Sequence, residues 1–267
     1  MAQLSGGRNA LADFACTLHT ILSTVDTSTN PLLAPDVIFR LDSDLNSNPF
    51  SLVINTPPRE QLDGIGTSLW NDCTFLMTSR GHNPEDVLVL GKVRAIAFAI
   101  LNMAVTPDLL GSVRALDLAL KAAQTVNQQR EIALNILSVA AIRLTSIQPV
   151  HLGLDAAINR NITTRYLLLR IRLAWLQERV DIAEHFFTKL PTPVVPDDEE
   201  LIFETCFIIG DSALALCLPE VAITWLQRAS EHLQSLSIMT QMKDYDNWNL
   251  VIRHSLGEWV DLVDDLD

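Results

Sequence analysis

"CFIIGDSALALCLPEVAITWLQRASEHL", residues 206–233, holds the end of one helix-patterned segment, 198–216, and the start of another, 219–236, with two residues between them. Helices joined by so short a turn must run antiparallel and share a core. Small residues stand where two such helices come closest: Gly210 on the first, then Ala222 and Ala229 on the second. Glycine or alanine there lets the backbones approach. A bulky residue one turn after Ala222, here Leu226, fills the groove left beside them.

That spacing is the TPR pattern, W-x2-L-G-x2-Y followed by A-x3-F and a later Pro over about 34 residues. Ile209-Gly210 take the Leu-Gly positions, Ala222 falls at the small site of the second helix, and Leu226 takes the aromatic place. A second stretch, "LAWLQERVDIAEHFFTKLP" at 173–191, answers to the same template. Setting Ala183 at the small site puts Phe187 at the aromatic position, Ile171 at the Gly site and Ala174 at the Tyr site. Ala183 and Ala222 are 39 positions apart, longer than the standard period, and the connector "PTPVVPDDEE" absorbs the excess as a surface loop. Upstream, "MAVTPDLLGSVRALDLALKAAQ" permits a weaker match through Ala115 and Ala119, and "EIALNILSVAAIRL" reads as the first helix of a further pair. The expected class is all-α, an α-solenoid of irregular TPR-like antiparallel helix pairs.

The rest of the chain fits that expectation. Leu11, Phe14, Leu18 and Leu22 recur at helical spacing, which predicts an N-terminal helix within 1–26. Residues 27–58 carry five prolines among Asn, Ser and Asp and read as a connection, with "SLVIN" at 51–55 as a short extended piece. Residues 59–267 read as one repeat domain with helices at 59–79, 84–104, 107–126, 128–144, 161–178, 180–190, 198–216, 219–236 and 245–264. Asn83-Pro84-Glu85-Asp86 and Thr106-Pro107-Asp108 are helix-start signals: a capping side chain, a proline at the first helical position, and acid to oppose the helix dipole.

Composition narrows the function. With 267 residues, 48% hydrophobic, the chain can bury a sizeable core, but aromatics are only 6%, so that core rests on aliphatic side chains. The net charge of −13 comes with no basic cluster able to track a phosphate backbone, so direct nucleic-acid binding is not expected. Cys16, Cys73, Cys206 and Cys217 form no C-x-x-C pair, which points away from zinc and disulfides and toward a reduced intracellular compartment. The N-terminus lacks the form of a signal peptide, and no apolar run approaches the ~18 residues that cross a bilayer. The expectation is a soluble intracellular protein.

Chemical motifs are scarce. Glu184-His185 has no second histidine at H-E-x-x-H spacing, "GIGTSL" at 64–69 lacks the third glycine and the strand of a phosphate loop, and G-x-S-x-G and the P-loop are absent. The bland reading of "GIGTSL", two small residues at a packing contact, is preferred. Asp197-Asp198-Glu199-Glu200 reads as a solvated cap at a helix N-terminus. No catalytic residue, metal site or cofactor is assigned, and an enzyme is not expected. Trp175 and Trp225 are the aromatic candidates for a partner surface, set against the commoner role of tryptophan, burial between helices.

Three blocks, "LDGIGTSLWNDCTFL" (62–76), "YLLLRIRLAWLQERVDIAEHFFTKL" (166–190) and "CFIIGDSALALCLPEVAITWLQRASEHL" (206–233), resemble in sequence and order the meiosis-specific TPR scaffold family named after yeast zipper and sporulation proteins. The resemblance implies a nuclear, chromosome-associated scaffold for crossover formation and synaptonemal complex assembly. It implies protein partners, among them a ring-finger SUMO or ubiquitin ligase and an inactive structure-specific-nuclease-like pair, with no direct nucleic acid and no membrane. Members are typically several times longer, so it also implies an N-terminal fragment or short form. A generic TPR adaptor outside meiosis is the alternative, although the Lys/Arg clamp such adaptors use for a terminal carboxylate is not evident; a small helical enzyme is the third reading.

Overall fold

The computed structural model describes residues 2–24, 33–50, 59–79, 83–106, 109–147, 156–192, 194, 196–240 and 252. Ten helices and no strand occur among them, so the protein is all-α. The chain divides into two compact units, Met1–Gly153 and Leu154–Asp267. That division falls inside the segment read from the sequence as one repeat domain, 59–267.

In the first unit, α1 (Ala2–Thr24), α2 (Pro35–Asn46), α3 (Arg59–Ser79) and α5 (Leu109–Thr125) pack against α4 (Pro84–Ala104), and α6 (Arg130–Ile147) packs on α5. Helix α4 starts as its sequence predicts: Asn83 caps it by accepting the Glu85 N–H at 3.2 Å, with Pro84 in the first turn. Its stretch Ala95–Ile100 is buried on every side. Helix α4 is also long and apolar enough, by length and composition, to cross a membrane, which corrects the expectation that no such run exists. Two thirds of that window is buried among its neighbours, the condition in which a helix apolar all round is a core helix. Helices α3 and α4 meet at Gly66, where an added Cβ would lie 2.7 Å from Leu101 Cγ, so this half of "GIGTSL" is a packing contact. Gly64 faces open space.

Helix α2 lies inside the stretch read as a connection and corrects it. Pro35, one of the five prolines that read as a connection, stands in the first turn of α2, followed by Asp36, where a missing N–H costs nothing. Leu33, Leu41, Leu45 and Phe50 bring this stretch into the core, with Phe50 stacked on Phe98 at 6.0 Å between ring centroids. "SLVIN" at 51–55, Pro107 and Asp108 lie outside the described residues, as does the expected helix 245–264 apart from Ile252, which is helical and buried.

The second unit contains α7 (Ala156–Leu176), α8 (Val180–Phe187), α9 (Pro196–Ala215) and α10 (Pro219–Thr240). Consecutive helices pair, α7 with α8 and α9 with α10, and α7 also packs on α9. Both pairs close through the same elbow, 39 residues apart. Glu178 and Cys217 take left-handed φ values of 60° and 56°. Arg179 N–H donates to Ala174 O and Leu218 N–H to Ala213 O, each at 2.9 Å, while Glu178 N–H reaches Trp175 O and Cys217 N–H reaches Leu214 O, again at 2.9 Å. This double bonding is the Schellman ending of a helix, which usually carries glycine at the left-handed position. The next helix follows directly, with Ala183 N–H donating to Arg179 O at 3.1 Å and Ala222 N–H to Leu218 O at 3.0 Å.

A candidate interaction groove on the second unit

The residues assigned to the repeat core come together between these helices. Ile171, Ala174, Ala183, Ile209, Gly210, Ala222, Leu226 and Ala229 are all buried, and Phe187 is half-buried at the edge of the same cluster. A Cβ on Gly210 would lie 2.6 Å from Leu226 Cγ and 3.2 Å from the Leu226 backbone nitrogen, so α9 meets α10 at a distance only glycine permits. Leu226 thus sits against Gly210 at the place the aromatic holds in the motif.

Neither tryptophan is available to a partner. Trp225 is wholly buried, with its ring edge-on to Phe187 at 5.4 Å, and Trp175 is buried with its indole N–H donating to Ser212 Oγ on α9 at 3.1 Å. The candidate partner role of these two residues is therefore corrected. They sit on the faces that join the helices, where burying their large apolar area outweighs any gain from exposure.

Glu184 is also used structurally. Arg228 on α10 grips its carboxylate with two bonds, 2.9 and 2.6 Å, and lies over the rings of Phe187 at 4.3 Å and Trp225 at 4.8 Å. His185 is exposed beside Phe186. The acidic run at the start of α9 is not simply solvated. Asp198 is buried and accepts from Asn161 Nδ2 at 2.6 Å and Thr164 Oγ1 at 3.2 Å, while buried Glu199 pairs with His232 Nδ1. The expectation of a free cap fails because α7 and α10 close over this turn and bring donors to both carboxylates; of the described side chains in this run, Glu200 alone stays exposed.

Once α7 and α10 have taken these faces of α9, one of its faces is left. On α9 it is the row Glu200, Glu204, Ile208, Asp211 and Ala215, at spacings of three and four, all exposed. The equivalent row on α7, 39 residues earlier, is Asn161, Arg165, Leu169, Arg172 and Leu176, all half-buried. In the 39-residue register Arg165 corresponds to Glu204, Leu169 to Ile208, and Arg172 to Asp211. Ile208 is 42% exposed, and at the α9–α10 elbow Leu216 is 59% and Leu218 41% exposed. Glu200, Glu204, Asp211 and Arg172 have no charged partner among the described residues. The sequence signal for these rows was within reach: each is found by stepping one residue past the Gly-site position of its repeat.

Other chemistry is thin. Among the described residues no three His, Cys, Asp or Glu side chains are placed to hold a metal ion. Burial pushes the Cys73 and Cys206 thiols up to about 12, which keeps them protonated and unreactive. A cavity of about 240 Å³ in the first unit has an apolar floor of Leu101, Ala104, Val105 and Leu118, but it is smaller than most ligand pockets and its Arg114 is held by Asp63 at 2.9 Å.

Residues 173–259 match the family model described as "Meiosis protein SPO22/ZIP4 like". No curated protein and no solved structure matches the chain. The matched segment takes in the block 206–233 whole and residues 173–190 of the block 166–190, and leaves 62–76 outside. It runs from the last turn of α7 through α8, α9 and α10, so this stretch is similar to SPO22/ZIP4-like meiosis proteins, a likeness that implies a meiosis-related role.

Proposed function

We propose that the chain is a non-enzymatic protein-interaction scaffold that supports crossover formation and synaptonemal complex assembly on meiotic chromosomes in the nucleus. The supporting observation is a coincidence of place. The segment matching the meiosis family contains all of α9, whose row Glu200, Glu204, Ile208, Asp211 and Ala215 is exposed along its length. Helical-repeat proteins bind partners along such faces, because the second helix of each pair supplies the core and frees the first to present a surface. Ring-finger ligase and nuclease-like crossover factors are the partners this reading expects, with no cofactor.

Affinity purification of the tagged chain from meiotic and from vegetative cells, followed by mass spectrometry, tests it. The expected result is recovery of synapsis or crossover proteins from meiotic cells alone. Chaperones or other constitutive partners in both samples would replace the meiotic scaffold with a generic adaptor.

A further inference from the structure

We infer that the outward row of α9 docks a basic amphipathic segment: a partner helix whose apolar stripe seats on Ile208 and whose Lys or Arg residues line the edge facing α9. The inference rests on the scaffold reading and specifies its partner's chemistry.

Three features of the row carry it. Glu200, Glu204 and Asp211 flank Ile208 on a single face with no intervening base and no charged partner among the described residues. Like charges at such spacings on one helix repel and weaken it, so the arrangement is unfavourable for the isolated protein and is relieved by an opposite charge from outside. Residues 154–267 also hold most of the chain's net negative charge, which draws a basic partner to this half. An apolar centre inside that charge is what separates a docking row from a solvated face. Ile208 supplies it, and Leu216 and Leu218 at the α9–α10 elbow are exposed as well.

The probe is a synthetic amphipathic helix with a Leu stripe and Lys along one edge, titrated into the full chain by calorimetry. Its control replaces each Lys with Glu. Binding of the Lys peptide is expected to weaken about tenfold in Glu204→Lys/Asp211→Lys and several-fold in Ile208→Ser. Glu178→Lys/Glu231→Lys carries the same change in net charge at exposed sites off the row and is expected to stay within about twofold. Circular dichroism establishes that each variant is folded. Equal weakening by the two charge-reversed variants, an unchanged affinity for Ile208→Ser, or equal binding of the Glu peptide overturns the assignment. Meiotic partners recovered undiminished with Glu204→Lys/Asp211→Lys also overturn it while leaving the scaffold intact. Failure of the wild-type chain to recover meiotic partners removes the scaffold reading itself.

Discussion

At one register site α9 carries Gly210 where α7 carries Ile171, and the facing sites on α10 and α8 hold Leu226 and Phe187. Glycine lets α10 come close enough for Leu226 to be fully buried, whereas Phe187 in the pair that carries isoleucine is half-buried, covered by the Arg228 guanidinium and the edge of Trp225. The elbows differ as well. One backbone geometry is built from Gln177, Glu178 and Arg179 in the first pair and from Leu216, Cys217 and Leu218 in the second. The lesson is that main-chain geometry and the volume shared across the helix contact define the repeat, and particular side chains are interchangeable within those limits.

The comparison breaks most severely at the small site common to both pairs. Ala222 is wholly buried, so Ala222→Trp is expected to cost more than about 3 kcal/mol, because the indole can enter only by forcing α9 and α10 apart. Denaturant unfolding measures this, and a wild-type midpoint would show the register to be misplaced. One alanine substitution at each Gly-site position then sharpens the contrast through opposite mechanisms. Ile171→Ala opens a cavity and is expected to cost about 2–4 kcal/mol. Gly210→Ala adds a single methyl, expected to cost about 1–2 kcal/mol by pressing on Leu226. A tolerated Gly210→Ala would mean that the close approach is dispensable.

Arg228→Met tests whether the first pair relies on a cation where the second relies on close packing. The ion pair with Glu184 is partly exposed, which discounts it, and with the lost stacking the expected cost is about 1–2 kcal/mol, seen as a lower melting temperature. The elbows predict a change of opposite sign. Cys217→Gly relieves a left-handed backbone and, after the larger unfolded-state entropy of glycine is set against it, is expected to gain about 0.5–1 kcal/mol. Glu178→Gly should behave alike, and a loss in either variant would mean that its side chain matters more than its φ. The smallest effect is expected at Arg179, which holds the Asp181 carboxyl below its usual range but at the open surface; Arg179→Gln should leave the melting temperature unchanged.

Helix identity was legible wherever periodicity and a start signal agreed, and α3 and α4 begin and end at the residues their pattern predicts. Helix α2 was missed because proline stops a helix from within yet starts one at its first turn, and local sequence does not say which position the residue occupies. The paired elbows carry no glycine, so their left-handed residues left no mark in the sequence.

The sequence by itself determined an all-α chain, the register linking 183 to 222, and the likeness to a meiosis family, because these depend on spacing along one strand of text. Only the tertiary structure decided what became of the chemistry-bearing residues. It buried Trp175 and Trp225, paired Glu184 with Arg228, closed Asp198 and Glu199 under neighbouring helices, and left Ile208 among unpaired acids on an open face. Whether a polar or aromatic side chain packs, pairs or faces outward depends on which other helix arrives beside it, and that is set by contacts between segments distant in sequence.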